Sequence, residues 1–194
     1  MRAAANFLAP EVTKRLPIPS GATRLLDIGG SHGYYSVSLC RRHASLSAEG
    51  LELPNAIAAA APILARENMG ARVVHRAGDA LREDLGTSQY DVILVSDLLH
   101  HFDAASNRDL VERCARALTP GGMVVLKDTI RGDEGARPKQ MPMLGAMGVS
   151  MISESNMWSV DEMQAWLADA GLKARSPIFL RAAPGVAMVV GQRS

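Results

Sequence analysis

The chain is short of several things that would each have marked a class. It has two cysteines, Cys40 and Cys114, in 194 residues. Both lie in helix-like segments among apolar neighbours, so neither a disulfide nor a metal site is expected, and a reducing cytoplasm fits. An excess of charge of one sign is missing too. Twenty-one basic and 20 acidic residues leave a net charge of +1, which offers no electrostatic footprint for nucleic acid or an anionic membrane. The densest basic group, Arg41-Arg42-His43, reads as the solvated end of a helix. No apolar run approaches the roughly 20 residues of a membrane span. The opening residues, Met1-Arg2-Ala3-Ala4-Ala5-Asn6-Phe7, turn polar too soon for a signal peptide. Repeats and low-complexity segments are also lacking. What remains is a chain 47% hydrophobic and 21% charged, the size and composition of one soluble globular domain.

Its pattern is an alternation of strands and helices. Residues up to about Ser20 read as one or two short helices broken by Pro10, Pro17 and Pro19. Strands are expected at Arg24–Ile28, Leu46–Leu53, Arg72–His75, Tyr90–Val95 and Met123–Lys127. Helices are expected at His32–His43, at Asn55–Met69 with a kink at Pro62, and at Asn107–Leu118. After a polar loop and a methionine-rich stretch from Met141 to Met157, Ser159 and Glu162 form a capping-box signature opening a helix that ends at Gly171. Two strands follow, around Leu172–Leu180 and Val186–Val190, with Ala183-Pro184-Gly185 as the hairpin turn. This rhythm predicts an α/β Rossmann-like fold with a mostly parallel seven-stranded sheet, a C-terminal antiparallel strand and helices on both faces.

Ligands of such sheets bind beyond the carboxyl ends of the strands, and that is where the informative residues fall. Leu25-Leu26-Asp27-Ile28-Gly29-Gly30-Ser31-His32-Gly33 is an apolar strand, an acid and a glycine-dense turn. Gly30 and Gly33 fit the second half of a dinucleotide fingerprint, but Ile28 occupies the place of its first glycine. Asp27 would repel a pyrophosphate and suits a ligand with cationic groups, such as the sulfonium and ammonium of S-adenosylmethionine. Glu52 ends the second strand, where an acid can accept both hydroxyls of a ribose. Asp79 follows the third and can accept from an adenine amino group. Ser96-Asp97 follows the fourth. Any one of these acids reads more readily as a loop residue or a helix cap. Three in register with a glycine turn read as a site.

Those residues resemble the S-adenosylmethionine-dependent methyltransferases, and among them the small-molecule O-methyltransferases of the caffeate, flavonoid and polyketide type. Asp27 to Gly33 is similar to that family's first motif, Leu51-Glu52-Leu53-Pro54 to its acidic Leu-Pro motif and Gly78-Asp79-Ala80-Leu81 to its Gly-Asp motif. Leu99-His100-His101-Phe102 stands where the family has Leu-His-Asp-Trp. Leu118-Thr119-Pro120-Gly121-Gly122 resembles the turn before its fifth strand, and Trp158–Leu172 its C-terminal segment. The resemblance spans about Leu25 to Gly191.

It implies that Asp27, Gly29, Gly30, Gly33, Glu52, Leu53, Asp79, Ala80 and Ser96 hold S-adenosylmethionine and that His100 is the catalytic base, with no metal. Ser96 stands where many plant members have a lysine. Asp128 and Glu154 are candidate helper acids, and Asn156 a weaker one. The partner is a small-molecule acceptor, with a homodimer as a candidate assembly and neither nucleic acid nor membrane. Transfer to nitrogen or carbon, and cofactor binding without turnover, are the rival readings. Members usually carry a helical domain before the catalytic one, whereas 26 residues precede Asp27. Residues 1–20 are therefore expected to be a remnant of that region, and 21–194 the catalytic domain. Six of the ten methionines, Met141, Met143, Met147, Met151, Met157 and Met163, suit an adaptable pocket or plain core packing.

Overall fold

The computed structural model describes residues 2–131 and 156–194. In chain order it contains α1 (Arg2–Arg15), β1 (Arg24–Ile28), α2 (Tyr34–Arg42), β2 (Ser47–Glu52), α3 (Pro54–Ala65), β3 (Val73–Ala77), β4 (Tyr90–Ser96), α4 (Ala104–Ala117), β5 (Leu118–Thr129), α5 (Val160–Asp169), β6 (Lys173–Ala174), β7 (Ile178–Phe179) and β8 (Val186–Gln192). A single 3-10 turn, Leu99–His101, follows β4.

One sheet holds these strands in the order β3-β2-β1-β4-β5-β8-β6, with β7 also paired to β8. β1 to β5 are parallel, and β8 runs antiparallel to β5. The switch point of the doubly wound sheet therefore lies between β1 and β4. Seven strands were expected and the described residues form eight. The expected strand over 172–180 is split by Pro177, which has no N–H to donate and pushes its predecessor out of register. Its two pieces meet separate parts of β8, Lys173 opposite Gln192 and Ile178 opposite Met188.

Other boundaries differ for local reasons. α1 stays one helix through Pro10. α3 likewise contains Pro62 but stops at Ala65 rather than Met69. α4 begins three residues before Asn107 because Asp103 caps it, its carboxylate accepting from Ser106 N at 2.8 Å. The capping box of α5 forms as expected, with Ser159 N–H donating to Glu162 and Glu162 N–H donating to Ser159 Oγ.

The strand period of two divides the apolar residues between two cores. Val92, Leu94 and Val125 face α1 and α2, packing with Val12, Tyr35, Val37 and Leu39. Ile93, Val95, Val124 and Leu126 face α4 and α5, packing with Leu110, Val111, Trp166 and Leu167. α1 shares the first core: Leu8, Ala9, Val12 and Leu16 are buried there, each full burial contributing about 1.5–3 kcal/mol for a residue of valine or leucine size. Glu11 of α1 also accepts from the backbone N–H groups of Arg181 and Ala182, both at 2.8 Å. Among the described residues no helix is long and apolar enough to cross a membrane.

Candidate functional site

The glycine turn leaves β1 over the switch point. Gly29, Ser31 and Gly33 all have positive φ, at 71°, 54° and 72°, so the loop alternates into a region that glycine enters without strain. Gly29 N–H donates to Leu51 O at 2.9 Å, tying the loop to β2. A Cβ on Gly30 would lie 2.4 Å from Asp27 Oδ2. Glycine is thus needed at 30 because the backbone there crosses directly over the acid.

That crossing covers Asp27, whose side chain is fully buried beneath the loop. Ser36 Oγ donates to Oδ2 at 2.7 Å, while Oδ1 has no hydrogen-bond partner among the described residues. Burial pushes the carboxyl up to about 6, with the neighbouring Glu52 charge adding to the rise and the Ser36 hydrogen bond opposing it. Asp27 supports the loop from below and touches the cleft only through the backbone it carries.

Of the other expected positions, Glu52 bonds directly to the loop. Glu52 Oε1 accepts from Ser31 N at 2.5 Å, and its Oε2 accepts from Leu53 N at 3.2 Å. His75 of β3, a residue with no sequence signal, meets Ser31 O through Nε2 at 2.9 Å. Leu53 is 54% exposed and Leu81 36%, so two large apolar side chains stand open at the ends of β2 and β3. Asp79 caps its own turn, Oδ1 accepting from Leu81 N at 2.9 Å, and its side chain remains 43% exposed. Ala80 is half-buried beside it. Ser96 is buried and donates to Asp97 Oδ2 at 3.2 Å.

On the other side of the switch point stands His100, in the 3-10 turn after β4. Its Nδ1 lies 2.8 Å from Asp128 Oδ1, and its backbone N–H donates to Asp128 Oδ2 at 3.2 Å. A carboxylate only accepts, so Nδ1 carries the proton and Nε2 is the basic nitrogen. The hydrogen bond that Nδ1–H donates to Asp128 raises the imidazole above its ordinary 6.5, against the opposing effect of burial. Asp128 is 1% exposed, so solvent screens its charge little. His101 is exposed, its ring 4.2 Å from that of His100; burial and the charge on His100 lower it.

The turn itself is braced from a third direction. Trp158 Nε1–H and Asn107 Nδ2–H both donate to Leu99 O at 3.0 Å, and Asn156 N–H donates to His100 O at 3.0 Å. Asn156 Nδ2 donates to Phe102 O at 3.2 Å, so this side chain braces backbone instead of reaching toward a reacting group. Among the described helper candidates Asp128 is the one whose side chain meets the His100 ring; Glu154 lies outside the described residues, as do Met141, Met143, Met147 and Met151. Met163 is fully buried in the α4–α5 core, the packing role. Sequence reading also missed Lys127, which is 1% exposed and joined to Asp97 at 2.6 Å. Among the described residues no group of three or more His, Cys, Asp or Glu could hold a metal ion.

The chain is similar to known proteins in sequence and in fold. A family model described as an O-methyltransferase domain matches residues 8–173. A 3-hydroxy-5-methyl-1-naphthoate 3-O-methyltransferase of Streptomyces sahachiroi is 31% identical over 172 residues, covering 88% of this chain and 49% of the relative. A tetracenomycin polyketide synthesis 8-O-methyl transferase of Streptomyces glaucescens is 29% identical over 147 residues, 75% of this chain and 42% of the relative. The chain thus spans about half the length of the curated relatives it matches. In fold, the whole chain superposes on 58% of an O-methyltransferase family protein from Burkholderia thailandensis, with a TM-score of 0.84 at 23% identity.

Proposed function

The chain belongs to the O-methyltransferase domain family, and we propose that it transfers a methyl group from S-adenosylmethionine to a hydroxyl of a small aromatic or polyketide-like acceptor, with His100 as base. The observation that carries this reading is the buried Asp128–His100 pair, which leaves Nε2 basic at the carboxyl end of the sheet. The chemistry in the names of the curated relatives supports the acceptor class.

The residues around the glycine turn fit the cofactor. A loop with glycine at 29, 30 and 33 presents backbone rather than side chains. Glu52 retains a lone pair on each oxygen for the ribose hydroxyls, and Asp79 is open to an adenine amino group. The exposed Leu53 and Leu81 offer an apolar seat for a ring at the same strand ends. Ala80 and Ser96 complete the lining, and Asp27 holds the loop in shape. When bound, S-adenosylmethionine supplies a sulfonium methyl carbon that an oxygen lone pair attacks in line as the C–S bond breaks.

The chain's own part is alignment and proton handling. His100 Nε2 accepts the proton of the acceptor hydroxyl as its oxygen becomes nucleophilic. Nδ1–H keeps donating to Asp128, whose charge stabilises the imidazolium so formed. Such a base contributes roughly 10²–10⁴-fold. We expect S-adenosylhomocysteine, and not NAD, to raise the melting temperature, by an amount equivalent to about 2.7 kcal/mol at 100 times Kd. Labelled S-adenosylmethionine offered with phenols, catechols and amines tests the transfer itself. His100→Ala should leave S-adenosylhomocysteine affinity intact while phenol methylation collapses; unchanged turnover removes His100 from the reaction.

A further inference from the structure

Lys127 is the bulkiest of the fully buried side chains, and a buried ammonium demands a partner. It lies at the end of β5, level with Ser96 of β4. Nζ donates to both carboxylate oxygens of Asp97, at 2.7 and 2.6 Å, and Asp97 N–H donates back to Lys127 O at 2.8 Å. The Tyr35 ring of α2 covers the ammonium, its centroid 5.3 Å from Nζ. Asp97 itself has φ +54°, a conformation that side chains other than glycine's rarely adopt.

The next residue along β5 is Asp128, which points to the opposite face of the sheet and holds His100 by both its ring and its backbone N–H. Two consecutive residues of one strand therefore grip the two ends of the four-residue turn from Asp97 to His100, one from each face. We propose that Lys127 and Asp97 are a positioning pair for the base. Their tether holds the first residue after β4 in its left-handed conformation and so decides where His100 is presented. The inference rests on the role proposed above for His100. The tether is electrically neutral, which matters because His100 faces Asp128 and Lys127 from β5 and Asp97 and His101 from its own turn. The groups that α4 and the 156–158 segment bring against the turn, Asn107, Asn156 and Trp158, do not titrate.

The test compares Lys127→Met, Asp97→Asn, the double variant and Lys127→Arg with the parent chain. NMR titration of the His100 imidazole needs neither cofactor nor turnover. Lys127→Met leaves the Asp97 charge unbalanced and moves the midpoint up; Asp97→Asn leaves the ammonium unbalanced and moves it down; the double variant returns it close to the parent. In methylation assays each single variant should lower kcat between ~10- and ~100-fold, as displacement of a reacting group does, with acceptor KM and S-adenosylhomocysteine Kd little changed. The double variant should match a single one rather than multiply the losses, because one tether is broken once. Lys127→Arg, which keeps two-point donation, should retain most of kcat. A titration midpoint indifferent to both single variants overturns the proposal. So do multiplicative losses, or a loss confined to cofactor affinity. Absence of transfer by the parent chain on every acceptor would instead remove the proposed function, and the titration would still decide the pair.

Discussion

Asp128→Asn is the substitution that bears most directly on the base. It keeps the size and shape of the side chain and removes its charge. In the parent, Nδ1–H donates to a 1%-exposed carboxylate at 2.8 Å. A hydrogen bond to a charged group is worth about 1.5–3 kcal/mol and a neutral one about 0.5–1.5. The imidazolium should therefore lose roughly 1–1.5 kcal/mol of stabilisation, close to a tenfold shift toward the neutral form. The sign for catalysis follows. His100 must be neutral to accept a proton, and its titration lies above the ordinary value because of Asp128. Activity in the parent should rise as pH climbs through that raised value. In Asp128→Asn the acid limb should move to lower pH, while the plateau above it falls by up to ~10²-fold or more as the base loses its oriented tautomer. The sign for stability runs the other way. The raised folded-state titration contributes stability present below about 6.5 and lost as pH rises through the raised value, and the variant should lack that increment at low pH. The assay is kcat/KM against pH with a phenol acceptor, paired with urea unfolding at matched pH. An acid limb that stays in place, or moves to higher pH, refutes the reasoning.

Three further outcomes are expected. Asp27 titrates at about 6 in the folded chain against 3.8 unperturbed, so the folded state binds its proton more tightly. Stability should fall as pH rises from about 4 to 6, by at most ~3 kcal/mol from this group; urea midpoints across that window should show the slope in the parent and lose it in Asp27→Asn. Gly30→Ala places a Cβ 2.4 Å from a carboxylate that cannot retreat, so calorimetry should show S-adenosylhomocysteine affinity reduced at least ~tenfold with the circular dichroism spectrum retained; tight binding would contradict the crossing of loop over acid. Trp158→Phe deletes the Nε1–H donated to Leu99 O while keeping a ring against Trp166, costing about 0.5–1.5 kcal/mol in unfolding experiments and lowering kcat without weakening cofactor binding.

The alternation of apolar runs with turn residues was enough to place the parallel strands along the chain, because a strand buried on both faces is legible as a continuous apolar segment. Val92 to Val95 is the clearest case. Capping was legible where both partners lie within four residues, as at Ser159 and Glu162, and overlooked at Asp103, whose helix was placed too late. The break at Pro177 was written in the chain and missed, since a short strand pair looks like one longer strand until its register with β8 is known. Glu52 and Asp79 were legible as candidates because one ends β2 and the other lies two residues beyond β3.

The sequence alone determined the layered α/β plan and the glycine turn after β1, which rest on local pattern and spacing, and its motifs, through their resemblance to a family, named His100 as the base candidate. Tertiary structure decided what those residues do to one another. Asp27 became a buried support because the loop folds back across it. Asp128 rather than Asn156 became the partner of His100, because β5 lies beside β4 and its side chains alternate between faces. The same alternation set Lys127 on the opposite face, against Asp97, a contact between residues 30 apart that no local pattern encodes.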